Sequence, residues 1–487
     1  MKVRSLKSNF VLNALRIVSS AMIGIVLMPY INRVLGVTLI GKVEYVLSIV
    51  NYFILFSAMG IPIYGIREIA RVRDDIHEKT KVFLELLLIL IITTVISYTV
   101  LFGLFLQLDF FSGYKVLILI LGSLILLTNL GTEWYFQGME NQLFITVRTV
   151  VVRLVGFLLI IFYIKGPEDE LGYAAIMLFI LGGANVFNIF YVYKTLDLSS
   201  QRLQDLNLKR HMKPILTVFF AAISINIYLH LDKILLGTIK NSDSVAYYTV
   251  ANKIVRFVIE LITVIGMVML PRLSKLFHSD IHLYKKYILK AFYVIVIIAT
   301  PFSIYLSIYA PQIINIMGGQ LFSPSVTAMR ILAPLCLVVG IAYYLGYLIL
   351  YTQNREKIYT TAVVISAIFS VLINYQAIKH YDFLGAAAVA VLSEILAIII
   401  MLVLINNSVV NIRIWTNNLL KIVVANLILL ILFGTFIIVM PTSFKLTDFI
   451  IGTGVFFVFY FVLLFVFHEE TVIEHSENLL KIINRGK

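Results

Sequence analysis

The sequence predicts an all-α integral membrane protein of about fourteen transmembrane helices: two pseudo-symmetric six-helix lobes, two additional C-terminal helices, and both termini in the cytoplasm. Three observations carry this. Of 487 residues, 61% are hydrophobic and only 13% charged, against about 25% charged in soluble proteins. The apolar residues come in runs close to the ~20 residues that cross a bilayer as helix, rather than in alternating strands, which excludes an outer-membrane barrel. The cations that remain, which give a net charge of +13, fall in alternate loops.

The first lobe is predicted as residues 1–193, with spans at 9–35, 41–66, 82–106, 115–136, 143–164 and 173–193. No cleavable signal is expected, because the first apolar segment is too long and no small-residue cleavage site follows it. A polar connector, 194–213, carries an amphipathic stretch. The second lobe, 214–405, has spans at 214–237, 245–270, 287–309, 328–350, 358–378 and 384–405. Residues 406–467 hold two more, 419–439 and 448–467, and an amphipathic tail over 468–487 lies on the cytoplasmic surface. Prolines and glycines such as Pro29, Pro62, Pro271 and Pro301 read as span ends or bends.

Charge sets the orientation. Lys2, Arg4 and Lys7 precede the first span, and Arg67, Arg71, Arg73, Lys79 and Lys81 follow the second. Lys194, Arg202, Lys209, Arg210 and Lys213 follow the sixth, and Arg272, Lys275, Lys285 and Lys286 the eighth. The opposite loops, 107–114 and 310–328, carry no cation, and 166–172 is acidic. The basic balance is therefore a topological signal rather than a nucleic-acid footprint. The lone cysteine, Cys336, lies in an apolar run and excludes an intramolecular disulfide or a cysteine metal cluster. A short echo links the lobes: Tyr30-Ile-Asn-Arg-Val-Leu-Gly36 closes the first span and His230-Leu-Asp-Lys-Ile-Leu-Leu-Gly237 the seventh. Each is followed by an aromatic residue, Tyr45 or Tyr247 and Tyr248, inside the next span, as in a parallel repeat.

The most informative stretch is 245–271. It is apolar enough to span, yet it carries Lys253, Arg256 and Glu260 at i, i+3 and i+7, one stripe on a helix. A cation near the bilayer centre costs at least ~2.5 kcal/mol. The stripe must face water, a partner or an anionic ligand; the plainer alternative is a buried Arg256–Glu260 pair that joins helices.

Several motifs carry a family resemblance. Gly131-Thr-Glu-Trp-Tyr-Phe-Gln-Gly-Met-Glu-Asn141, Ile61-Pro-Ile-Tyr-Gly-Ile-Arg-Glu-Ile-Ala-Arg71, Leu231-Asp-Lys-Ile-Leu-Leu-Gly237, Met269-Leu-Pro-Arg-Leu-Ser274, and Gly385-Ala-Ala-Ala388 with Leu392-Ser-Glu394 occur in the order found in one group. Over most of the first twelve spans the chain resembles the polysaccharide-transporter (Wzx-type) oligosaccharide flippases, whose superfamily also holds the lipid II flippases and the MATE exporters. The resemblance implies an alternating-access carrier in the bacterial cytoplasmic membrane. Its substrate would be a polyprenyl-pyrophosphate-linked oligosaccharide, turned from the cytoplasmic to the outer leaflet for cell-surface polysaccharide synthesis. Glycosyltransferases and a polysaccharide polymerase are the partners this implies.

A diphosphate that leaves water needs cations, and arginine binds phosphate oxygens bidentately at any relevant pH. The diphosphate candidates are Arg256 and Arg153 near mid-span, Arg16 and Arg148 nearer the cytoplasmic face, and Lys253 nearer the outer one. Arg148 and Arg153 lie ~140° apart on a helix and cannot share one line; one of them pairs or snorkels, with Glu133 or Glu140 as partners. Lipid II flippases use arginines in the first, second and eighth spans. Here the second span offers Lys42 and Glu44 near its outer end but no central arginine.

No GxxxxGK[ST] phosphate loop occurs, so this polypeptide does not use ATP. No other cofactor is expected; the lipid-linked sugar could move down its own gradient, or a Na+ or H+ gradient could drive it through the intramembrane carboxylates Asp232, Glu260 and Glu394. The resemblance points to a Na+ site at Asp232, Asn374 and Glu394, all oxygen donors; the alternative for Asp232 is a structural pair with Lys233 or His230. Trp134, Tyr135 and Phe136 could form a sugar-stacking platform, but the interfacial aromatic belt explains them better. A MATE-like exporter of small cations shares the plan, but the basic stripe argues against it. The outer loops are too short for an enzyme's catalytic groups.

Overall fold

The computed structural model describes the backbone of residues 6–198, 201–405, 416–439 and 446–473; the side chains of residues 6–23, 203, 221–230, 265, 268 and 436–439 lie outside that description. Among the described residues every regular element is helical, and eleven stretches are long and apolar enough to cross a membrane. The chain is a multi-pass membrane protein. Its lipid-facing residues agree: Phe162, Phe190, Leu372 and Val403 are largely exposed, which water would not tolerate over so wide an area.

The chain divides into two compact units, one ending at Ala246 and one beginning at Tyr247. In the first, α1 (Leu6–Ala58) is the central element. At ~1.5 Å per residue its 53 residues would run ~80 Å, more than twice the ~30 Å hydrocarbon core. It is broken at Gly36, whose φ of 76° and ψ of −179° belong to the region glycine enters without steric cost. The first arm, 6–35, covers the span predicted at 9–35; the second, 37–58, stops short of the predicted 41–66, whose last residues belong to the separate helix Ile61–Arg71. Around them pack α3 (Ile76–Gly103), α4 (Lys115–Leu130), α6 (Gln142–Tyr163) and α9 (Lys209–Ile239), with α7 (Glu170–Leu178) and α8 (Ala184–Tyr193) against α4. A π-helical turn, Phe179–Gly183, joins α7 to α8.

Two short helices, α2 (Ile61–Arg71) and α5 (Glu133–Gly138), carry the first two motifs and pack on each other. Gly65 makes the approach close: a Cβ there would lie 2.6 Å from the Trp134 ring. Trp134, Tyr135 and Phe136 are buried, with Trp134 stacked on Phe83 at 5.5 Å. This corrects the expectation of an aromatic belt at the headgroups. The three rings are buried in one cluster with Ile61, Tyr64 and Ile69 of α2, Phe83 and Leu86 of α3 and Ile145 of α6, because neighbouring helices cover α5 on several sides.

In the second unit α10 (Ser242–Ser279), α11 (Ile281–Ile308), α12 (Ala310–Gly318), α13 (Ser325–Leu332) and α14 (Leu335–Tyr343) precede α15 (Glu356–Leu404). α16 (Asn417–Val439) and α17 (Leu446–Val466) follow. α11 lies against α14 and α16, and α15 against α13 and α14. α15 is interrupted at Asp382 (φ 53°, ψ −141°). The chain doubles back there, since a Cβ on Gly385 would lie 2.2 Å from the Ala377 carbonyl oxygen, where a continuous helix would hold residues eight apart at ~12 Å. The two arms match the spans predicted at 358–378 and 384–405.

Because the obstacle at Gly385 is main chain, no rotamer relieves it. Gly385→Val is expected to cost about 1–3 kcal/mol, seen as a lowered thermal-unfolding midpoint in detergent. Gly434→Ala, with nothing within 4 Å of the added methyl, is expected to leave that midpoint unchanged or slightly raised.

Candidate functional site

The charged stripe lies on α10. Ala251, Ile254, Val255, Val258, Ile259 and Ile262 are buried and form the side of the helix that packs into the second unit. Lys253, Arg256, Glu260, Thr263 and Met267 occupy the opposite side, where Lys253, Glu260 and Met267 are exposed and Arg256 is half-buried. Arg256 lies one turn from Glu260, near enough for the opposite charges to attract. The helix therefore presents its charges away from the core of its own unit, and it keeps both signs on that face.

The other predicted anion-binding residues divide. Arg16 belongs to α1, but its side chain lies outside the described residues. Arg148 is buried and engaged: its guanidinium meets Glu133 at 2.7 Å, donates to the Ala184 carbonyl at 2.9 Å and lies over the Phe144 ring. It ties α6 to α5 and to the start of α8. Glu140, the other partner considered for it, pairs instead with Arg73 at 2.9 Å. Arg153, half-buried, points elsewhere around α6, as the five-residue spacing requires.

Asp232 is buried on α9 beside Tyr52. The ion pair of its neighbour Lys233 goes to Glu44 on α1, at 2.8 Å. Lys42, the other charge near that end of α1, lies 3.8 Å from Glu170. Asn374 is fully buried on the first arm of α15 and donates to Ser370 at 3.2 Å. Glu394, half-buried, lies on the second arm. Measured from the break at Asp382, Asn374 and Glu394 sit ~12 and ~18 Å along their arms. Among the described residues no three His, Cys, Asp or Glu side chains gather in the manner of a metal site.

One polar cluster was not anticipated. Glu85, fully buried on α3, accepts from the Asn207 main-chain N–H at 2.7 Å, from Arg210 and from His211 Nε2 at 2.8 Å. A carboxylate only accepts, so His211 Nε2 carries the shared hydrogen; in the neutral ring Nδ1 then accepts from the Tyr64 hydroxyl at 2.7 Å. The available signal was Glu85 itself, an isolated carboxylate inside an apolar run. Lys233 and His211 are 22 residues apart on α9, or ~33 Å of helix, close to the bilayer thickness. α9 is thus held by ions at both ends, to α1 at one and to α3 at the other, while Tyr45 bonds Thr238 at 3.1 Å.

These features define a multi-pass helical membrane protein that keeps charged groups inside its spans and satisfies many of them by pairing. The family model for polysaccharide biosynthesis proteins matches residues 6–277, and the chain belongs to that family. It is 23% identical over 408 residues to a protein of Escherichia coli (strain K12) named as an O-antigen transporter, covering 83% of this chain and 97% of that one. A Shigella dysenteriae protein of the same name is 24% identical, covering 77% and 94%. Similar solved structures include the lipid II flippase MurJ in an inward closed conformation (TM-score 0.71, 16% identity, 93% of this chain and 98% of that one). A MATE family multidrug resistance transporter of the MOP superfamily, inward-facing, is also similar (TM-score 0.59, 15% identity, 82% and 93%). At these identities the likeness is one of fold.

Glu85→Ala strands a buried imidazole and a partly solvated guanidinium, so a loss on the order of 3 kcal/mol is expected. Thermal unfolding of the detergent-solubilised protein checks it. Glu85→Gln, which keeps an acceptor oxygen, is expected to lose less.

Proposed function

We propose that this protein is a flippase that carries a polyprenyl-pyrophosphate-linked oligosaccharide repeat unit from the cytoplasmic to the outer leaflet of the bacterial cytoplasmic membrane, by alternating access, for cell-surface polysaccharide synthesis. It is a transporter rather than a catalyst. The observation that carries the reading is the basic face of α10, turned out of its unit's core in a family of polysaccharide biosynthesis proteins. Relatives named as O-antigen transporters support it. A MATE-like exporter of small cations shares the fold, but Lys253 and Arg256 repel such a substrate and attract a diphosphate.

The same reading supplies the finer architecture. Two crossings each in α1 and α15, with α9 counted as one, bring the spans to about fourteen. The lobes are residues 1–193 and 214–405, joined by the connector 194–213. Residues 406–467 hold two further helices, α16 and α17, and 468–487 are the expected tail, of which 474–487 lie outside the described residues. Both termini are cytoplasmic, as the basic loops require. Arg256, Lys253, Arg16, Arg153 and Arg148 form the cationic set for the diphosphate; Arg256 leads because Arg148 is already committed to Glu133 and Ala184. Glycosyltransferases and a polymerase act before and after it. Coupling is to Na+ or H+ through Asp232, Asn374, Glu260 and Glu394. Asp232 and Asn374 are buried oxygen donors, which a hard cation requires, and such an ion would supply the driving force rather than chemistry.

Arg256→Ala, at normal membrane levels, is expected to cut transport of lipid-linked oligosaccharide into proteoliposomes by about tenfold or more, with Arg256→Lys intermediate. Wild-type rates in Arg256→Ala would overturn the role. Asp232→Asn and Glu394→Gln are expected to abolish the response of transport to an imposed Na+ or H+ gradient. A wild-type protein indifferent to both gradients would remove the coupling.

A further inference from the structure

The π-helical segment Tyr344–Tyr351, which continues α14, carries an aromatic ladder. Tyr343 and Tyr347 stack with ring centroids 4.8 Å apart and planes 20° from parallel; Tyr347 and Tyr351 stack at 5.2 Å and 10°. Tyr359, at the start of α15, meets Tyr347 at 5.2 Å and Tyr351 at 6.1 Å, both steeply inclined. Four residues of α-helix rise ~6 Å. The π turn spends more residues per turn and shortens that rise, which brings the three rings into stacking contact. π turns inside helices often mark functional sites.

Two features separate this ladder from ordinary core. The first is a gradient of access: Tyr343 is 9% exposed, Tyr347 half-buried and Tyr351 43% exposed. The second is the hydroxyls. Among the described residues no group hydrogen-bonds the phenol oxygen of Tyr343, Tyr347 or Tyr351. Elsewhere in the unit Tyr284 pairs with Thr352 at 2.8 Å and Tyr305 with Thr453 at 2.7 Å, while the Tyr309 and Tyr344 hydroxyls are single buried groups without a partner among the described residues. The ladder differs in setting three such hydroxyls in one row that opens to the surface at Tyr351. Buried tyrosine hydroxyls ordinarily find a partner, and a row of them inside a membrane span must meet water or a ligand. Because the rings cover one another's faces, what the ladder offers is its edges and its line of hydroxyls. That chemistry suits a ligand rich in hydroxyl and carbonyl oxygens and gives a hydrocarbon tail nothing specific.

We infer that Tyr343, Tyr347 and Tyr351 form a glycan subsite, at which the phenol hydroxyls hydrogen-bond the sugar portion of the transported lipid. The inference deepens the flippase reading and rests on it. The ladder runs from mid-span toward Arg355 and Lys357, exposed at the end that the reading assigns to the cytoplasm. There the glycan would be met before its diphosphate reaches the α10 stripe.

The test uses the full-length protein in nanodiscs and two probes: polyprenyl pyrophosphate alone, and the polyprenyl-pyrophosphate oligosaccharide extracted from the cells that make it. Wild type is expected to bind the glycosylated probe about tenfold more tightly, as several neutral hydrogen bonds would give. Y343F/Y347F/Y351F keeps the stacked rings and removes only the hydroxyls. It is expected to bring the two affinities within about twofold of each other, with that for the bare probe unchanged. A ratio preserved in the triple variant, or both probes weakened equally, would overturn the subsite and leave the flippase reading in place. A wild-type protein that binds neither probe would overturn that reading and the subsite with it.

Discussion

Charge inside hydrocarbon is the constraint on which this structure depends. Each guanidinium, ammonium or carboxylate within a span costs several kcal/mol unless water, an opposite charge or a ligand meets it. The chain answers in two ways. Arg148 with Glu133, Lys233 with Glu44, and Arg210 and His211 with Glu85 are joined directly, and each pair links two helices. Lys253, Arg256 and Glu260 share one face of α10, on the side away from the apolar residues that pack into its unit. The first group builds the scaffold.

The paired charges also explain how α9 is held. A span fixed only by apolar contacts is free to slide, because lipid tails are as apolar as the neighbouring helices. Ion pairs ~33 Å apart on one helix fix both its depth and its rotation.

The spans were legible because the bilayer sets their length: apolar runs near 20 residues mark crossings whatever their detailed packing. Gly36 was legible as the end of a span. Asp382 was less so, since nothing in the sequence announces a left-handed aspartate between two apolar runs. The stripe at Lys253, Arg256 and Glu260 was visible from spacing alone. Partnerships were not, because they join residues far apart in the chain: Glu85 meets residues more than 120 positions away. Trp134, Tyr135 and Phe136 were misassigned for the same reason, since a burial created by α2, α3 and α6 leaves no local mark on α5. The ladder at Tyr343, Tyr347 and Tyr351 has helical spacing, but its tight stacking comes from the π turn, which sequence does not reveal.

The measurement that bears most directly on this account is the accessibility of cysteines placed along α10. Native Cys336 is fully buried, so background labelling is small. Lys253→Cys, Arg256→Cys and Glu260→Cys are predicted to react with a charged, membrane-impermeant thiol reagent, and to be protected by polyprenyl-pyrophosphate oligosaccharide. Ile254→Cys, Val258→Cys and Ile262→Cys, on the packed side, are predicted to stay unreactive. A stripe that reacts only with lipid-soluble reagents, or that no substrate protects, would contradict the account.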